Sequence, residues 1–181
     1  MHPLSRTLGA ALLGALAAMP AAAEINNWIE VAPKKKIAVA HPDFTGAQQR
    51  ITASETSEGG HGGYMETVTA INPTNGAVLS AELGETNVSF SYAGLSDKLK
   101  GALKMPYSTD GAVQALSTKH GSIEFQPLIV SFSSAKRNCG FYAGFLDGRR
   151  RVLQGLYCPK LNGAADAAAM TAMLDSLSLQ P

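Results

Sequence analysis

The segment from Cys139 to Cys158 constrains the fold more than any other, because it contains both cysteines of the chain. Within it, Asp147-Gly148 separates two alternating runs, a pattern typical of a β-hairpin. A turn formed by residues 147–150 places the two cysteines directly opposite each other, whereas a two-residue Asp-Gly turn does not. Opposed Cα atoms of an antiparallel pair are about 4.5–5.5 Å apart, within reach of a disulfide. The sequence therefore predicts a hairpin closed by a Cys139–Cys158 disulfide; the alternative is two free, buried cysteines.

The same register assigns the hairpin side chains to two faces. On the face away from the disulfide, Tyr142 lies opposite Gly155 and Tyr157 lies opposite Gly140. An aromatic ring over a cross-strand glycine stabilises a sheet. The disulfide face carries four large apolar residues: Phe141, Phe145, Val152 and Leu156.

The first residues of the chain have the composition of a secretory signal peptide. A basic start precedes an apolar run over residues 8–19, and Ala21-Ala22-Ala23 forms a small-residue cleavage site. We therefore expect a signal peptide over residues 1–23 and one globular domain over residues 24–181. The apolar run is too short to span a membrane, and no later stretch is long enough. The alanine-rich signal favours a bacterial periplasm, where two cysteines are most simply paired.

The overall charge argues against one class of partner. The chain has 15 basic and 14 acidic residues, so its net charge is close to zero. Nucleic-acid-binding domains are usually strongly basic. We expect no nucleic-acid partner.

Strands and helices are predicted in blocks rather than in alternation. A Pro127 in the long strand predicts a bulge there, because the buried positions change parity from Ile123 and Phe125 to Leu128 and Val130. Blocks of this kind favour a single-domain α+β fold, mainly an antiparallel sheet with two central helices and a C-terminal helix. The alternative is a β-rich sandwich with peripheral helices. Predicted strands cover residues 25–31, 36–40, 48–54, 64–71, 77–83, 88–92 and 123–134 and the two hairpin arms; predicted helices cover 96–105, about 110–120 and 163–176.

The sequence contains no catalytic motif that we can identify. It has no Gly-x-Ser-x-Gly elbow and no Ser-x-x-Lys in a catalytic context. The cysteines are consumed by the disulfide and lack the Cys-x-x-Cys spacing of redox proteins. We therefore predict no catalytic residue, no cofactor and no metal site, although groups distant in sequence can meet only in the fold.

One group of polar residues supports an alternative function. The residues are His41, Asp43, His61 and Glu66, which could surround a pocket beneath the glycine-rich loop at residues 57–63. None of them has a recognised metal-ligand spacing. If they converge, the protein is a small-ligand-binding or metal-binding protein or an enzyme.

The most suggestive polar feature is a pair of basic triplets, at residues 34–36 and at Arg149-Arg150-Arg151. The arginines lie at the tip of the disulfide-closed hairpin, and guanidinium groups suit carboxylates and phosphates. If no helix covers Tyr142 and Tyr157, they add an aromatic patch beside the arginines; the alternative is that helices cover them. The triplets could also simply prevent edge-to-edge aggregation.

The sequence therefore predicts an exported, periplasmic, non-catalytic binding or accessory protein of the cell envelope. Its expected partner is an envelope protein or an anionic ligand, such as an acidic protein patch, lipid headgroups or an anionic polymer. A third possibility is a structural subunit of an envelope complex. The sequence leaves the oligomeric state open.

Overall fold

The computed structural model describes residues 28–56, 62–87, 94–132 and 135–181. These residues form mostly antiparallel β-sheet with few helices. The strands are β1 (Ile29–Val31), β2 (Ile37–Val39), β3 (Gln48–Thr56), β4 (Gly63–Ile71), β5 (Val78–Thr86), β6 (Tyr107–Thr109), β7 (Gln114–Thr118), β8 (Gly121–Phe132), β9 (Ala135–Leu146), β10 (Arg151–Cys158) and β11 (Leu177–Leu179). The helices are α1 (Leu95–Ala102) and α2 (Ala167–Ser176), and short 3-10 turns cover Pro42–Phe44 and Asp147–Arg149.

Most strands belong to one nine-stranded sheet. Its order is β1-β3-β4-β5-β10-β9-β8-β6, with β7 also paired to β8 on the side where β6 lies. A separate two-stranded sheet joins β2 to β11. The hairpin formed by β9 and β10 therefore lies inside the large sheet and not at its edge.

The predicted hairpin is confirmed. Its arms end at Leu146 and resume at Arg151, so residues 147–150 form the turn. Tyr142 pairs with Gly155 in the predicted register. The disulfide between Cys139 and Cys158 is present, with Cα atoms 4.1 Å apart. A disulfide is compatible with the predicted export.

The two glycines opposite the tyrosines differ in what covers them. A Cβ atom at Gly155 would lie 2.7 Å from Tyr142 Oη and would overlap the carbonyl oxygen of Ser80. Gly140 is instead covered by Met170, whose side chain provides the three atoms nearest to a Cβ there. The tyrosine-over-glycine packing is therefore found at Gly155 and replaced at Gly140 by packing against α2.

The sheet buries both of its faces. Tyr142 belongs to a core that includes Met170 and Met173 of α2. Its neighbour Phe141 belongs to a second core that includes the disulfide and Leu99 of α1. Because consecutive residues of a strand point to opposite faces, α1 and α2 cover opposite faces of the sheet.

The predicted bulge at Pro127 is wrong. The pairing of β8 with β9 continues without interruption from Glu124 to Phe132. Ile123 belongs to the core beneath α2, and Val130 belongs to the core beneath α1. The buried positions change parity because the strand passes from one covered face to the other, not because its register slips.

The predicted second central helix is also wrong. Residues in that region form β6 and β7, which both pair with β8. These pairings satisfy the outer backbone groups of a 12-residue strand that would otherwise lie exposed. A mainly antiparallel sheet with few helices is common to both predicted fold classes.

The remaining helices agree with prediction apart from their ends. Helix α1 begins after Gly94, without a side-chain cap, rather than at Ser96. Helix α2 begins after Asp166, whose Oδ1 accepts a hydrogen bond of 2.8 Å from Ala169 N. The predicted signal peptide and the predicted strand at residues 88–92 lie outside the described residues. Neither α1 nor α2 has the length and apolarity needed to cross a membrane, and the same holds for every helix in the described ranges.

Candidate functional site

Five side chains form a row across one end of the large sheet. Strand pairing places Ile29 opposite Glu55, Glu55 opposite Tyr64, Tyr64 opposite Glu85 and Glu85 opposite Arg151. Directly opposed residues in antiparallel strands point to the same face. We refer to these five residues as the transverse row.

The first basic triplet lies along the transverse row. Lys34 Nζ lies 2.6 Å from Glu55 Oε1 and 4.4 Å from the centroid of the Tyr64 ring. Lys36 Nζ lies 2.7 Å from Glu85 Oε2. The two lysines thus fix the segment between β1 and β2 against the sheet.

The second basic triplet reaches the same carboxylate. Arg151 Nε forms an ion pair of 3.0 Å with Glu85 Oε1, without the angle of a hydrogen bond. Arg151 Nη1 also donates to Asp147 Oδ2 at 3.0 Å. Because Lys36 and Arg151 share Glu85, the structure brings together two basic segments that are far apart in the sequence.

Three basic residues remain exposed beside these ion pairs: Lys35, Arg149 and Arg150. Within the described ranges, none of the three forms an ion pair. The Arg149 guanidinium lies 5.3 Å from the centroid of the Phe145 ring. We call Lys35, Arg149 and Arg150 the basic rim.

Two residues of the basic rim have unfavourable backbone conformations. Lys35 has φ of 56° and Arg149 has φ of 71°, both in the left-handed region. That region costs a residue with a Cβ atom about 1–2 kcal/mol. The fold therefore holds basic side chains at positions where glycine would be more stable.

Tyr64 and Glu66 connect the sheet to β2. Tyr64 Oη donates to Glu66 Oε2, and Glu66 Oε1 accepts a hydrogen bond of 3.1 Å from Ile37 N. Burial and the hydrogen bond to Glu66 raise the pKa of Tyr64 to about 12. Glu66 is buried and is used to hold β2 in place.

The four predicted pocket residues are not brought together as a group. Asn72 Nδ2 donates to the carbonyl oxygen of Asp43 at 2.9 Å, which places Asp43 at the end of β4. Glu66 lies six residues before Asn72 along β4. At the usual rise of a strand, Glu66 is therefore about 20 Å from the end where Asp43 lies. The carboxylate of Asp43 accepts hydrogen bonds from Tyr157 Oη at 2.7 Å and Lys160 N at 3.2 Å.

The two histidines of that group have different outcomes. His41 Nδ1 accepts a hydrogen bond of 3.2 Å from Asp43 N, and burial lowers the pKa of His41. His61 lies outside the described residues. Within those residues, no three His, Cys, Asp or Glu side chains are grouped as metal ligands would be.

The two tyrosines predicted to contact a partner are interior residues. Tyr142 is 0% exposed and Tyr157 is 1% exposed. The predicted alternative, that a helix covers this face, describes the structure, because α2 packs there. Burial raises the pKa of both phenols. The two tyrosines are therefore not exposed beside the arginines of the hairpin tip.

An open cavity of about 750 Å³ lies next to the transverse row. Ile29, Val31 and Tyr64 form its apolar wall, and Glu55 and Glu85 also line it. Gly62 and Gly63, at the end of the loop where a pocket was predicted, complete one side. The cavity is therefore near the expected place, and among the described residues its carboxylates are Glu55 and Glu85 and not Asp43 or Glu66.

Comparison with protein-family models, with curated protein sequences and with solved structures finds no match to this chain. The function is therefore inferred from the chemistry of this end of the sheet.

Proposed function

We propose that the protein is a non-catalytic binding or accessory protein of the cell envelope, exported to the periplasm, which recognises an anionic partner through the basic rim. One observation carries the proposal. Lys36 and Arg151 both contact the Glu85 carboxylate, so the two basic segments meet at one end of the sheet. Guanidinium and ammonium groups that are exposed and close together suit carboxylates, phosphates and sulfates.

The backbone supports the proposal independently. Lys35 and Arg149 keep left-handed backbone conformations that disfavour their side chains. Local strain that persists in a fold is often associated with function. Asp147, in the same turn as Arg149, and Asn162 also have positive φ, so the support lies in the basic residues that occupy two of these four positions.

The hairpin tip is also held in place before any partner arrives. The disulfide closes the base of the hairpin, and Arg151 ties the tip to both Asp147 and Glu85. Ordering side chains at an interface costs free energy, and a prearranged surface reduces that cost.

Protection of a sheet edge explains the arginines less well. Basic residues often prevent edge strands from pairing with other molecules. The strands that carry the hairpin tip, β9 and β10, have a partner on each side. Arg149 and Arg150 therefore lie at the end of interior strands, where no edge needs protection.

A small-ligand-binding function is the second candidate, favoured by the cavity beside the transverse row. Its volume is in the range of known small-molecule sites. Its carboxylates, Glu55 and Glu85, already have lysine partners within the chain. Apart from Glu30, the exposed charges of this end that form no ion pair within the described residues lie on the basic rim, which favours an anionic partner.

Retention on an immobilised polyanion such as heparin tests the proposal. The rim variant Arg149→Ser/Arg150→Ser should elute at lower salt than the wild type. The control variant Lys136→Ser/Lys160→Ser removes the same charge from exposed positions at the opposite end of β9 and β10, and it should elute like the wild type. Equal shifts of both variants would show that only net charge matters and would remove the support for a specific site.

A further inference from the structure

We infer that the anionic partner is the surface of an anionic lipid bilayer, with the basic rim on the headgroups and Ile29 inserted between them. This inference rests on the proposed function. It adds a partner class, because the basic rim alone does not distinguish lipid from an acidic protein or polymer. The distinction comes from apolar residues at the same end of the sheet.

Ile29 is the most exposed large apolar residue of the described chain. It is 70% exposed and lies at the outer end of the transverse row. Arg151 closes the other end of that row, four strand spacings or about 19 Å away. Ile29 and the basic rim therefore lie at the same end of the sheet, near opposite ends of one row, a separation that a flat surface can span.

Trp28 precedes Ile29 and is the only tryptophan of the chain. It is half-buried, and its Cη2 atom would lie 3.2 Å from a Cβ atom at Gly63. Tryptophan favours the boundary between lipid headgroups and acyl chains. Its position places a residue of that type at the same end as the basic rim.

The electrostatics at this end also fit a bilayer. The two carboxylates of the transverse row pair with Lys34 and Lys36. The exposed Glu30 beside Ile29 offsets one of the three charges of the basic rim, so this end keeps an excess of positive charge. The apolar wall of the open cavity continues inward from Ile29. A basic surface with adjoining exposed apolar residues is the combination used by proteins that lie on anionic membranes. An acidic polymer would engage the charges and leave Ile29 in water.

The expected contributions can be stated as changes in affinity. One basic side chain near an anionic bilayer strengthens binding by about fivefold, so loss of two weakens it by about 25-fold. Transfer of one isoleucine side chain from water to lipid strengthens binding by about tenfold or more. Binding of this size is weak and reversible.

The test uses the mature protein and two kinds of vesicle. One kind contains phosphatidylcholine alone, and the other contains equal parts of phosphatidylcholine and phosphatidylglycerol. We expect the Trp28 emission to shift to the blue and to be quenched by brominated acyl chains only with the anionic vesicles. The rim variant should bind about 25-fold more weakly, Ile29→Ser about tenfold more weakly, and the control variant as well as the wild type.

Three outcomes separate this inference from the function on which it rests. Heparin retention that depends on the rim, without vesicle binding, would overturn the bilayer partner and leave the proposed function standing. Absence of both rim-dependent heparin retention and vesicle binding would overturn the proposed function and the bilayer inference together. Vesicle binding that is unchanged in Ile29→Ser and leaves Trp28 unquenched would also overturn the inference, because charge alone would then explain it. Ile29 makes little contact with either core, so its replacement is not expected to affect folding.

Discussion

Replacing Glu82 by glutamine should stabilise the protein relative to the wild type, and this gain should be larger at pH 8 than at pH 4. Glu82 lies on β5, is 4% exposed and accepts a hydrogen bond from Gln154 Nε2. Glu82 lies four residues after Val78 on β5, so both side chains point to the same face of the sheet, the one covered by α1. Burial raises the pKa of Glu82 from 4.5 to about 7, opposed by the hydrogen bond from Gln154 and by the charge of Lys98.

The magnitude follows from proton linkage. A carboxyl group whose pKa is raised by folding contributes its stability below pH 4.5 and loses it as the pH rises through about 7. One unit of pKa corresponds to about 1.4 kcal/mol, so the wild type loses about 3 kcal/mol from this group by pH 8. A glutamine keeps an acceptor oxygen for Gln154 and does not ionise. The gain of Glu82→Gln over the wild type should therefore grow by about 3 kcal/mol between pH 4 and pH 8.

Urea unfolding of both proteins across this pH range measures the difference directly. Glu124→Gln serves as the control, because Glu124 lies on the same face of the sheet and remains half exposed. Its unfolding free energy should follow that of the wild type at every pH. If Glu82→Gln and the wild type give parallel curves between pH 4 and pH 8, the argument from burial is refuted.

Three further predictions concern the core. Reducing the disulfide, which joins residues 19 apart, should lower the unfolding free energy by about 3 kcal/mol, measured by urea unfolding with and without a reductant. Tyr157→Phe removes the hydroxyl that donates to the Asp43 carboxylate and should cost about 1.5–3 kcal/mol. Tyr142→Phe removes only a bond to a neutral carbonyl and should cost less; equal losses in thermal unfolding would contradict this reasoning. Gly155→Ala places a Cβ atom against Ser80 and should prevent soluble expression or cost more than about 3 kcal/mol, whereas a wild-type melting temperature would refute the close packing.

Local sequence signals predicted the parts of the fold that depend on neighbouring residues. The hairpin followed from the Asp147-Gly148 turn and the positions of the cysteines, and α2 followed from its apolar stripe. The prediction of a helix over about residues 110–120 failed because the helix-start signals there were outweighed by the need of β8 for pairing partners. The bulge predicted at Pro127 was wrong for a related reason. The buried positions of β8 change from odd to even residues, and this pattern alone cannot show that different faces of the strand are covered along its length.

The candidate site was predicted in part for the same reason. Both basic triplets could be recognised in the sequence, and the arginines were placed correctly at the hairpin tip. Their meeting depends on Glu85, which lies on β5 and carries no local signal. The burial of Tyr142 was one of two alternatives that the sequence left open, whereas the exposure of Ile29 was beyond local reasoning, because it depends on which elements cover the sheet.

The pairing of β2 with β11 has a consequence for the order in which the chain acquires its fold. It joins Val39 to Leu177, so nearly the whole described chain must be present before it can form. The helix that covers Tyr142 and Tyr157 also comes from this last part of the chain. If the protein is exported as proposed, a chain that emerges with its N-terminus first would have an assembled but uncovered apolar sheet until residues 167–179 follow. In that case we expect this interval to be the one in which chaperones and proteases compete for the protein.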